Sequence, residues 1–463
     1  MYFTKYVPSW LNDAIIYHIY PLGFFGAPKF SANEPGKVIN RFENIRNYYN
    51  HFLELGINTI QFGPIFESVS HGYDTTDYFV IDHRLGTNEL FKEIVAELHD
   101  LGIRVIVDGV FNHVGREFKS FIDIKENRQY STKKNWHFID FNGNNSYNDG
   151  FSYQDWEGYQ ELVRLNLSNN EVKDYFFDVC KFWLGDIKID GWRLDVAYQI
   201  DVEFWKEFRK VCKEINSNSV LIGELVHGDY TKWVGEDRLD SGTDYQVQKS
   251  IWSSIKSVNM YELKNVIDIA YNKRGRHKDL LMMNFLGNHD TNRIASVIKT
   301  EQLIPAFLIL LTLHGYPKIY YGDELAVRGE KTAHSDDEIR KPMIDLADQW
   351  PEFGKELFKN IQQFITIRKD IPALRYGTIA FIDPIDWDPT IIIYSRETST
   401  QKVIIIVNTQ EQTKSVSIMV KVANRKAKFI DYLNKREEFI VTNNKIEKII
   451  IYPHWGRIML NVD

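Results

Sequence analysis

The chain has 463 residues, and 56 lysines and arginines against 63 aspartates and glutamates give it a formal net charge of −7. An apolar fraction of 44% is typical of a folded globular protein and excludes a disordered chain. The mild acidity, without a long basic run, argues against a nucleic-acid partner. We therefore expect one large domain with one or two smaller ones.

The cysteines, the first ten residues and the apolar run near residue 310 together indicate the cellular compartment. Cys180 and Cys212 lie in apolar, helix-like contexts and predict buried thiols, not a disulfide framework or a metal cluster. The first ten residues show no charged head followed by an apolar core, which argues against a signal peptide. The apolar run 304–313 is too short to span a bilayer and predicts a buried helix. We expect a cytoplasmic protein with no membrane partner.

The predicted elements begin with a repeated pattern of a helix followed by a strand. Residues 44–64 and 88–110 each start with helical periodicity, reach Leu-Gly-Ile and continue into a β-branched run. Gly56 and Gly102 are placed as the glycines that end the two helices. Short, nearly all-apolar strands that follow helices predict a parallel sheet covered by helices.

Eight segments have the composition of strands, and helical segments separate most of them. The sixth has the least apolar pattern. Eight alternating units favour a barrel over an open doubly wound sheet, which would more often carry a glycine-rich phosphate loop. The eight are "AIIYHIYP", "INTIQFGP", "IRVIVDGV", "IDGWRLDVA", "VLIGEL", "GTDYQV", "LMMNFLGNHD" and "YPKIYYGDE".

Two further segments depart from the alternating pattern. A polar and aromatic stretch after the third strand is too long for a simple connection, which indicates a functional loop or a small inserted domain. Strand-like runs after Gly377 predict a small antiparallel sandwich. The predicted organisation is a first barrel part, an insertion, a second barrel part and a C-terminal sandwich: 1–113, 114–167, 168–376 and 377–463.

The insertion carries five large aromatic side chains. Most of them are expected to form the small core of the insertion. Trp156 is the best candidate for the mouth of the barrel, because its neighbours Asp155 and Glu157 are acidic. The five are Trp136, Phe151, Tyr153, Trp156 and Tyr159.

Three carboxylates end strand candidates, where barrel enzymes hold their active sites: Asp195, Glu224 and Asp290. Glycoside hydrolysis needs one ionised carboxylate and one protonated carboxyl. Arg193 lies two residues from Asp195, on the same strand face, and is expected to keep that aspartate ionised. The apolar sequence around Glu224 favours its protonated form. Each motif alone is more often structural, whereas the three together favour catalysis.

These motifs resemble the α-amylase glycoside hydrolases of family 13. The resemblance implies a (β/α)8 TIM barrel with an inserted B domain after strand 3 and a C-terminal antiparallel β-sandwich domain. The motifs occur in the order of the family and span residues 14–375. They are "HGYDTTDYF" at 71–79, "DGVFNH" at 108–113, "GWRLDVA" at 191–197, "GEL" at 223–225, "GNHD" at 287–290 and "YYGDE" at 320–324.

The resemblance also implies roles for individual residues. Asp195 would be the nucleophile, Glu224 the general acid/base, and Asp290 the group that binds sugar hydroxyls. The remaining residues implied in substrate binding are Tyr73, Asp74, Asp108, His113, Arg193 and His289.

The acceptor side departs from many α-amylases. Three and four residues after the nucleophile, where those enzymes have Lys-His, this chain has Tyr198 and Gln199. The motifs are more similar to those of cyclomaltodextrinases and neopullulanases. Asn112 stands where many amylases bind a structural calcium, and cyclomaltodextrinase-like members often lack this ion. The chemistry itself implies no cofactor, and the metal stays open.

The resemblance predicts a retaining glycosidase that cleaves α-1,4-glucosidic bonds of maltooligosaccharides, cyclodextrins or starch-like glucans. Two alternatives are a transglycosylase or sugar isomerase of the same family, in which a sugar accepts the glucosyl group, and a non-catalytic binding protein. The last would be expected to lack one of the three carboxylates, and all three are present.

Overall fold

A computed structural model describes residues 6–34, 36–272, 275–343, 350–422 and 427–462. Eight short parallel strands form its central sheet, in which strands consecutive in the chain pair and the first pairs with the last. A bridge between Thr243 and Met283 joins the two remaining edges, so the sheet closes into the predicted barrel. The strands are β1 Ile16–Ile19, β2 Thr59–Phe62, β3 Arg104–Gly109, β4 Gly191–Leu194, β5 Val220–Gly223, β6 Ser241–Gly242, β7 Met283–Phe285 and β8 Tyr316–Tyr320.

The sixth strand is much shorter than predicted. β6 ends at Gly242, and a helix starts at Tyr245, inside the segment expected to be extended. The side chain of Asp244 accepts a hydrogen bond from the Val247 amide and so caps this helix. Aspartate at this position is a strong helix start signal, and it overrides the strand propensity of the residues that follow.

Helices cover the outside of the barrel. Gly56, with φ 86°, ends the first of the two repeated helices, and Gly102, with φ 75°, follows the second. No helix within the described ranges is long and apolar enough to cross a membrane. The longer helices are Tyr49–Leu55, Asn88–Asp100, Lys119–Asn127, Asn170–Cys180, Val202–Ile215, Tyr245–Lys256, Tyr261–Ile267, Leu303–Thr312 and Glu352–Asp370.

The two cysteines lie on neighbouring helices. Cys180 ends Asn170–Cys180, and Cys212 lies in Val202–Ile215. Both are free and buried, as predicted, and their sulfur atoms are 3.0 Å apart.

The chain between β3 and β4 folds into a small subdomain. It contains the helix Lys119–Asn127 and a three-stranded sheet of His113–Gly115, Tyr159–Arg164 and Asp155–Trp156. A second pair of strands joins Ile139–Asp140 to Ser152–Tyr153. Aromatic side chains such as Phe151 form the interior of this subdomain, as expected for most of the five large aromatic residues of the insertion.

Two antiparallel sheets follow the barrel. Alternate residues of their long strands enter different cores: Ile392 and Tyr394 pack toward the barrel, whereas Ile391 and Ile393 pack between the sheets. The short strands Thr378–Phe381, Lys428–Asp431 and Glu438–Ile440 were not predicted. The other strands are Ile391–Glu397, Lys402–Asn408, Lys414–Met419, Lys445–Ile451 and Gly456–Asn461.

Candidate active site

Arg193 lies at the centre of a cluster of carboxylates at the C-terminal end of the barrel. It is only 3% exposed, and it points into the barrel on the same side as Asp195. Its Nη1 donates to Asp108 at 2.8 Å and to Asp195 Oδ1 at 2.9 Å, and its Nη2 lies 2.7 Å from Glu224 Oε1. The two buried charges seen in the sequence therefore pair with each other, and a single guanidinium holds three carboxylates.

The apolar environment predicted for Glu224 is wrong. In addition to Arg193, its Oε1 accepts a hydrogen bond from the Tyr245 hydroxyl at 3.1 Å, and its Oε2 accepts one from the Val196 amide at 3.1 Å. The glycine and leucine beside Glu224 are neighbours in sequence, but consecutive side chains on extended backbone point in opposite directions. The polar partners come from other segments, which local sequence does not show.

Asp195 shares the Arg193 guanidinium with two other acids. Burial raises the pKa of Asp195 well above its ordinary value, and the nearby carboxylates of Glu224 and Asp108 raise it further, whereas Arg193 lowers it. Arg193 is thus the group that favours the ionised form of Asp195.

Asp290 has the opposite electrostatic environment. Although burial raises its pKa, His289 and Arg340 outweigh this effect and hold the pKa of Asp290 well below its ordinary value. Its Oδ2 lies 2.9 Å from His289 Nε2, and its Oδ1 accepts a hydrogen bond from Arg340 Nη2 at 3.0 Å. The His289 ring is stacked between Tyr20 and Tyr73. Asp290 is therefore an ionised hydrogen-bond acceptor in a fixed position.

The other predicted residues lie at the same end of the barrel, but not all reach the cavity. Tyr73 lines it, and its hydroxyl donates to Asp108 Oδ2 at 3.1 Å. His113 also lines it, and burial lowers the pKa of His113 to about 3, so this ring is neutral. Asp74 is buried behind the wall, where its carboxylate accepts hydrogen bonds from the Ser70 amide and hydroxyl.

The cavity above the cluster has a volume of about 900 Å³. Trp156 and Tyr159 line it from the insertion with stacked rings, their centroids 5.6 Å apart. On the acceptor side Tyr198 lines the cavity, whereas Gln199 donates to Glu157 of the insertion at 2.9 Å. The cavity is large enough for an oligosaccharide rather than for one sugar.

Three residues of the site were not predicted from sequence. Tyr245 bonds Glu224, Arg340 bonds Asp290, and Tyr20 stacks on His289. The capping aspartate before Tyr245 was a usable signal, because it predicts a helix start near a strand end. Arg340 follows Asp290 by 50 residues, and no local pattern connects the two.

Asn112, which the resemblance places at a structural calcium, has contacts within the protein. The side-chain nitrogen of Asn112 lies 3.3 Å from Nδ1 of the His113 ring. The backbone carbonyl of Asn112 accepts a hydrogen bond from the Leu165 amide. Calcium prefers several carboxylate and carbonyl oxygens. Among the described residues, the one group of three His, Cys, Asp or Glu side chains close enough to share an ion lies elsewhere, at Glu67, Asp82 and His83.

Known proteins resemble this chain along its length. Residues 45–377 match the family described as alpha amylase, catalytic domain. A cyclomaltodextrinase of Geobacillus thermopakistaniensis is 30% identical, over 98% of this chain and 78% of the relative. Neopullulanase 2 of Thermoactinomyces vulgaris is 29% identical, over 98% of this chain and 78% of the relative.

A solved structure shows the same architecture. The cyclic alpha-maltosyl-(1→6)-maltose hydrolase from Arthrobacter globiformis superposes with a TM-score of 0.81 at 26% identity, and the match covers 98% of this chain and 99% of that protein. The match to the family extends over more than half of the chain and includes the barrel strands that carry the carboxylates. The chain belongs to the alpha-amylase family of glycoside hydrolases.

Proposed function

We propose that this protein is a retaining glycosidase that hydrolyses α-1,4-glucosidic bonds of maltooligosaccharides and cyclodextrins. The observation that carries the proposal is the Arg193 guanidinium, which bonds both Asp195 and Glu224 at the floor of one cavity. Retaining enzymes need two carboxyl groups about 5–5.5 Å apart, one as nucleophile and one as acid and then base. The names of the relatives support glucan substrates.

In the first step, we assign the attack to Asp195. Its Oδ1 is held by Arg193, which leaves Oδ2 to form the bond to the anomeric carbon. Glu224 gives its proton to the glycosidic oxygen as the bond to the leaving sugar breaks. In the second step, Glu224 takes a proton from water, whose oxygen replaces Asp195 on the anomeric carbon and frees the carboxylate.

The remaining polar groups bind the reacting sugar in this proposal. Tyr73 offers an aromatic face to the apolar side of the ring. Asp290, fixed by Arg340, accepts hydrogen bonds from sugar hydroxyls as the ring distorts toward the transition state. His113, being neutral, can donate one hydrogen bond without adding charge. No cofactor is needed, because the two carboxyl groups complete the proton balance.

Product analysis tests the proposed activity. The purified protein is incubated with maltotriose and, separately, with a cyclodextrin, and the sugars are separated over time. Hydrolysis of maltotriose gives glucose and maltose. Longer or newly linked products would instead show transfer to a sugar acceptor. No change in either substrate, with Asp195→Asn indistinguishable from the unaltered protein, would contradict the proposal.

We also propose that the enzyme works in the cytoplasm. The support is its cysteine usage: two buried thiols and no disulfide framework, the pattern of reducing compartments. Fractionation of cells that express the full chain, with a cytoplasmic and a secreted marker, checks this location.

A further inference from the structure

Two free thiols touch each other in the layer of helices around the barrel. Cys180 is the last residue of the helix Asn170–Cys180, and Cys212 lies in the last turn of Val202–Ile215. Both side chains are fully buried, and their sulfur atoms lie 3.0 Å apart. A single buried cysteine is usually a small apolar core residue, whereas two sulfurs in contact can also react with each other.

The distance between the sulfur atoms is close to that of a covalent bond. In the reduced protein one thiol donates a hydrogen bond to the other sulfur, at 3.0 Å. A disulfide bond is about 2.05 Å long, so the two sulfurs would have to approach by about 1 Å. The two helices pack against each other, and we expect small changes in the side-chain torsions to supply this movement.

The chain between the two cysteines contains the strand that carries part of the carboxylate cluster. Residues 181–211 include β4 with Arg193, and Asp195 just after that strand. A bond between the sulfurs would tie the helix before this segment to the helix after it. It would close a loop of about 30 residues, which restricts mainly the unfolded chain.

We propose that Cys180 and Cys212 form a redox-active dithiol, which low-molecular-weight disulfides convert to a reversible cross-link between the two helices. In a reducing compartment the pair remains a dithiol, whereas under oxidising conditions the cross-link forms and stabilises the folded chain. The inference does not rest on the proposed glycosidase activity, because the two cysteines belong to the helical layer and neither lines the cavity.

The reaction consists of two successive thiol–disulfide exchanges. One protein thiol loses its proton and attacks a sulfur of the small disulfide, which forms a mixed disulfide and releases the first small thiol. The other protein thiol then loses its proton and attacks the protein sulfur of the mixed disulfide, which releases the second small thiol. In total the two protein thiols lose two electrons and two protons, and the small disulfide takes them up as it becomes two thiols.

Burial makes this reaction slow in the folded protein. It raises the pKa of the Cys212 thiol well above its ordinary value, and the contact with Cys180 raises this pKa further, so little reactive thiolate is present. The small disulfide also has to reach two sulfurs that are shielded from solvent. Directly after Cys180 the backbone changes to a π-helical segment, Lys181–Ile187, and we expect local opening at this junction to admit the reagent.

Thiol counting and mass spectrometry test the inference on the full chain. The protein is incubated with oxidised glutathione, with and without urea below the unfolding transition, and is then denatured and treated with a thiol reagent. We expect the two free thiols to disappear, faster in urea, and the mass to decrease by about 2 Da. A peptide map should join the segments that contain Cys180 and Cys212, and dithiothreitol should restore both thiols.

Two results of this experiment would overturn the inference. Two free thiols that persist in urea, in a chain that circular dichroism shows to be folded, would mean that the pair is inert. A stable adduct that retains glutathione would mean that the second sulfur does not reach the first.

Thermal unfolding measures the stabilising effect of the cross-link. Cys180→Ala and Cys212→Ala are the matched variants, because each keeps one thiol and all other oxidisable side chains but cannot form the internal bond. Oxidation should raise the Tm of the unaltered chain by about 2–5 °C and should not raise the Tm of either variant. An unchanged Tm in the cross-linked chain, or an equal rise in both variants, would contradict a stabilising bond between these two residues.

Discussion

Arg193 is the residue on which the geometry of the site depends most. Its two terminal nitrogens contact Asp108, Asp195 and Glu224, and its planar fork allows these contacts to be made together. A lysine at the same place has a single nitrogen and cannot bridge the carboxylates in this way. The Arg193 side chain therefore bridges Asp195 and Glu224, the proposed nucleophile and acid.

Replacing Arg193 should remove activity even when charge is kept. We expect Arg193→Lys to lower kcat at least about 100-fold, because the carboxylates lose their common anchor at the point where charge develops. Steady-state kinetics on maltotriose, with circular dichroism to confirm folding, measure this. A folded variant within about threefold of the unaltered enzyme would show that the bridge is unnecessary.

Asp195→Asn should abolish turnover without affecting the fold. The amide has nearly the same shape as the carboxylate but cannot form the bond to the anomeric carbon. Asp178→Asn serves as the matched control, since Asp178 is an exposed acid whose ion pair is with Lys181, the residue after the end of its helix. Normal rates in both variants would remove Asp195 from the role of nucleophile.

At the scale of elements, the insertion adds two aromatic side chains to the lining of the cavity. The strand Asp155–Trp156 presents Trp156, which packs between His113 at the barrel end and Tyr159 on the neighbouring strand. Tyr159 is half exposed. This stacked pair lines the same cavity as Asp195 and Glu224, and we expect sugars away from the cleaved bond to pass it.

Trp156→Ala should therefore weaken the use of long substrates more than of short ones. We expect KM to rise more for maltoheptaose than for maltotriose, since only the longer chain reaches the aromatic pair. Tyr130→Ala is the control, because Tyr130 also lies in the insertion but is 84% exposed and away from the cavity lining. An equal rise for both substrates, or a large fall in Tm, would identify Trp156 as a packing residue.

Sequence patterns predicted the barrel better than the details of the site. Apolar strands and glycine-ended helices are local signals, so seven strand segments and the buried helix 303–312 could be predicted. β6 is shorter than predicted because Asp244 caps a helix that starts at Tyr245. The environment of Glu224 could not be predicted, because its partners Arg193, Val196 and Tyr245 come from other segments.

At the scale of the whole molecule, the C-terminal sheets are joined to the barrel by buried polar contacts. Arg396, in the strand Ile391–Glu397, donates to the carbonyls of Thr312 and Gly377, each at 2.8 Å. Thr312 is the last residue of the fully buried helix Leu303–Thr312, so the guanidinium also lies at a helix C-terminus, where positive charge is favourable. Ile392 and Tyr394 of the same strand pack into the core of the barrel, so apolar contacts also join the sheets to the barrel.

Arg396→Met should lower the thermal stability but leave kcat nearly unchanged. Two buried carbonyls lose their donor, at a cost of about 1–3 kcal/mol each, and the Tm should fall by several degrees. Because the barrel mouth is unaltered, kcat should stay within about twofold. Lys421→Met, an exposed substitution just after the strand Lys414–Met419, should change neither quantity. A loss of kcat at unchanged Tm would show that the sheets contribute to catalysis.

The stereochemistry of the first product tests the retaining mechanism most directly. Two successive displacements, first by Asp195 and then by water, leave the anomeric carbon with its original α configuration. Proton NMR during early hydrolysis of a cyclodextrin resolves the two anomers before they interconvert. We predict that the α anomer appears first and the β anomer only later, by mutarotation. Initial formation of the β anomer would show a single displacement by water and contradict the assignment of Asp195 as nucleophile.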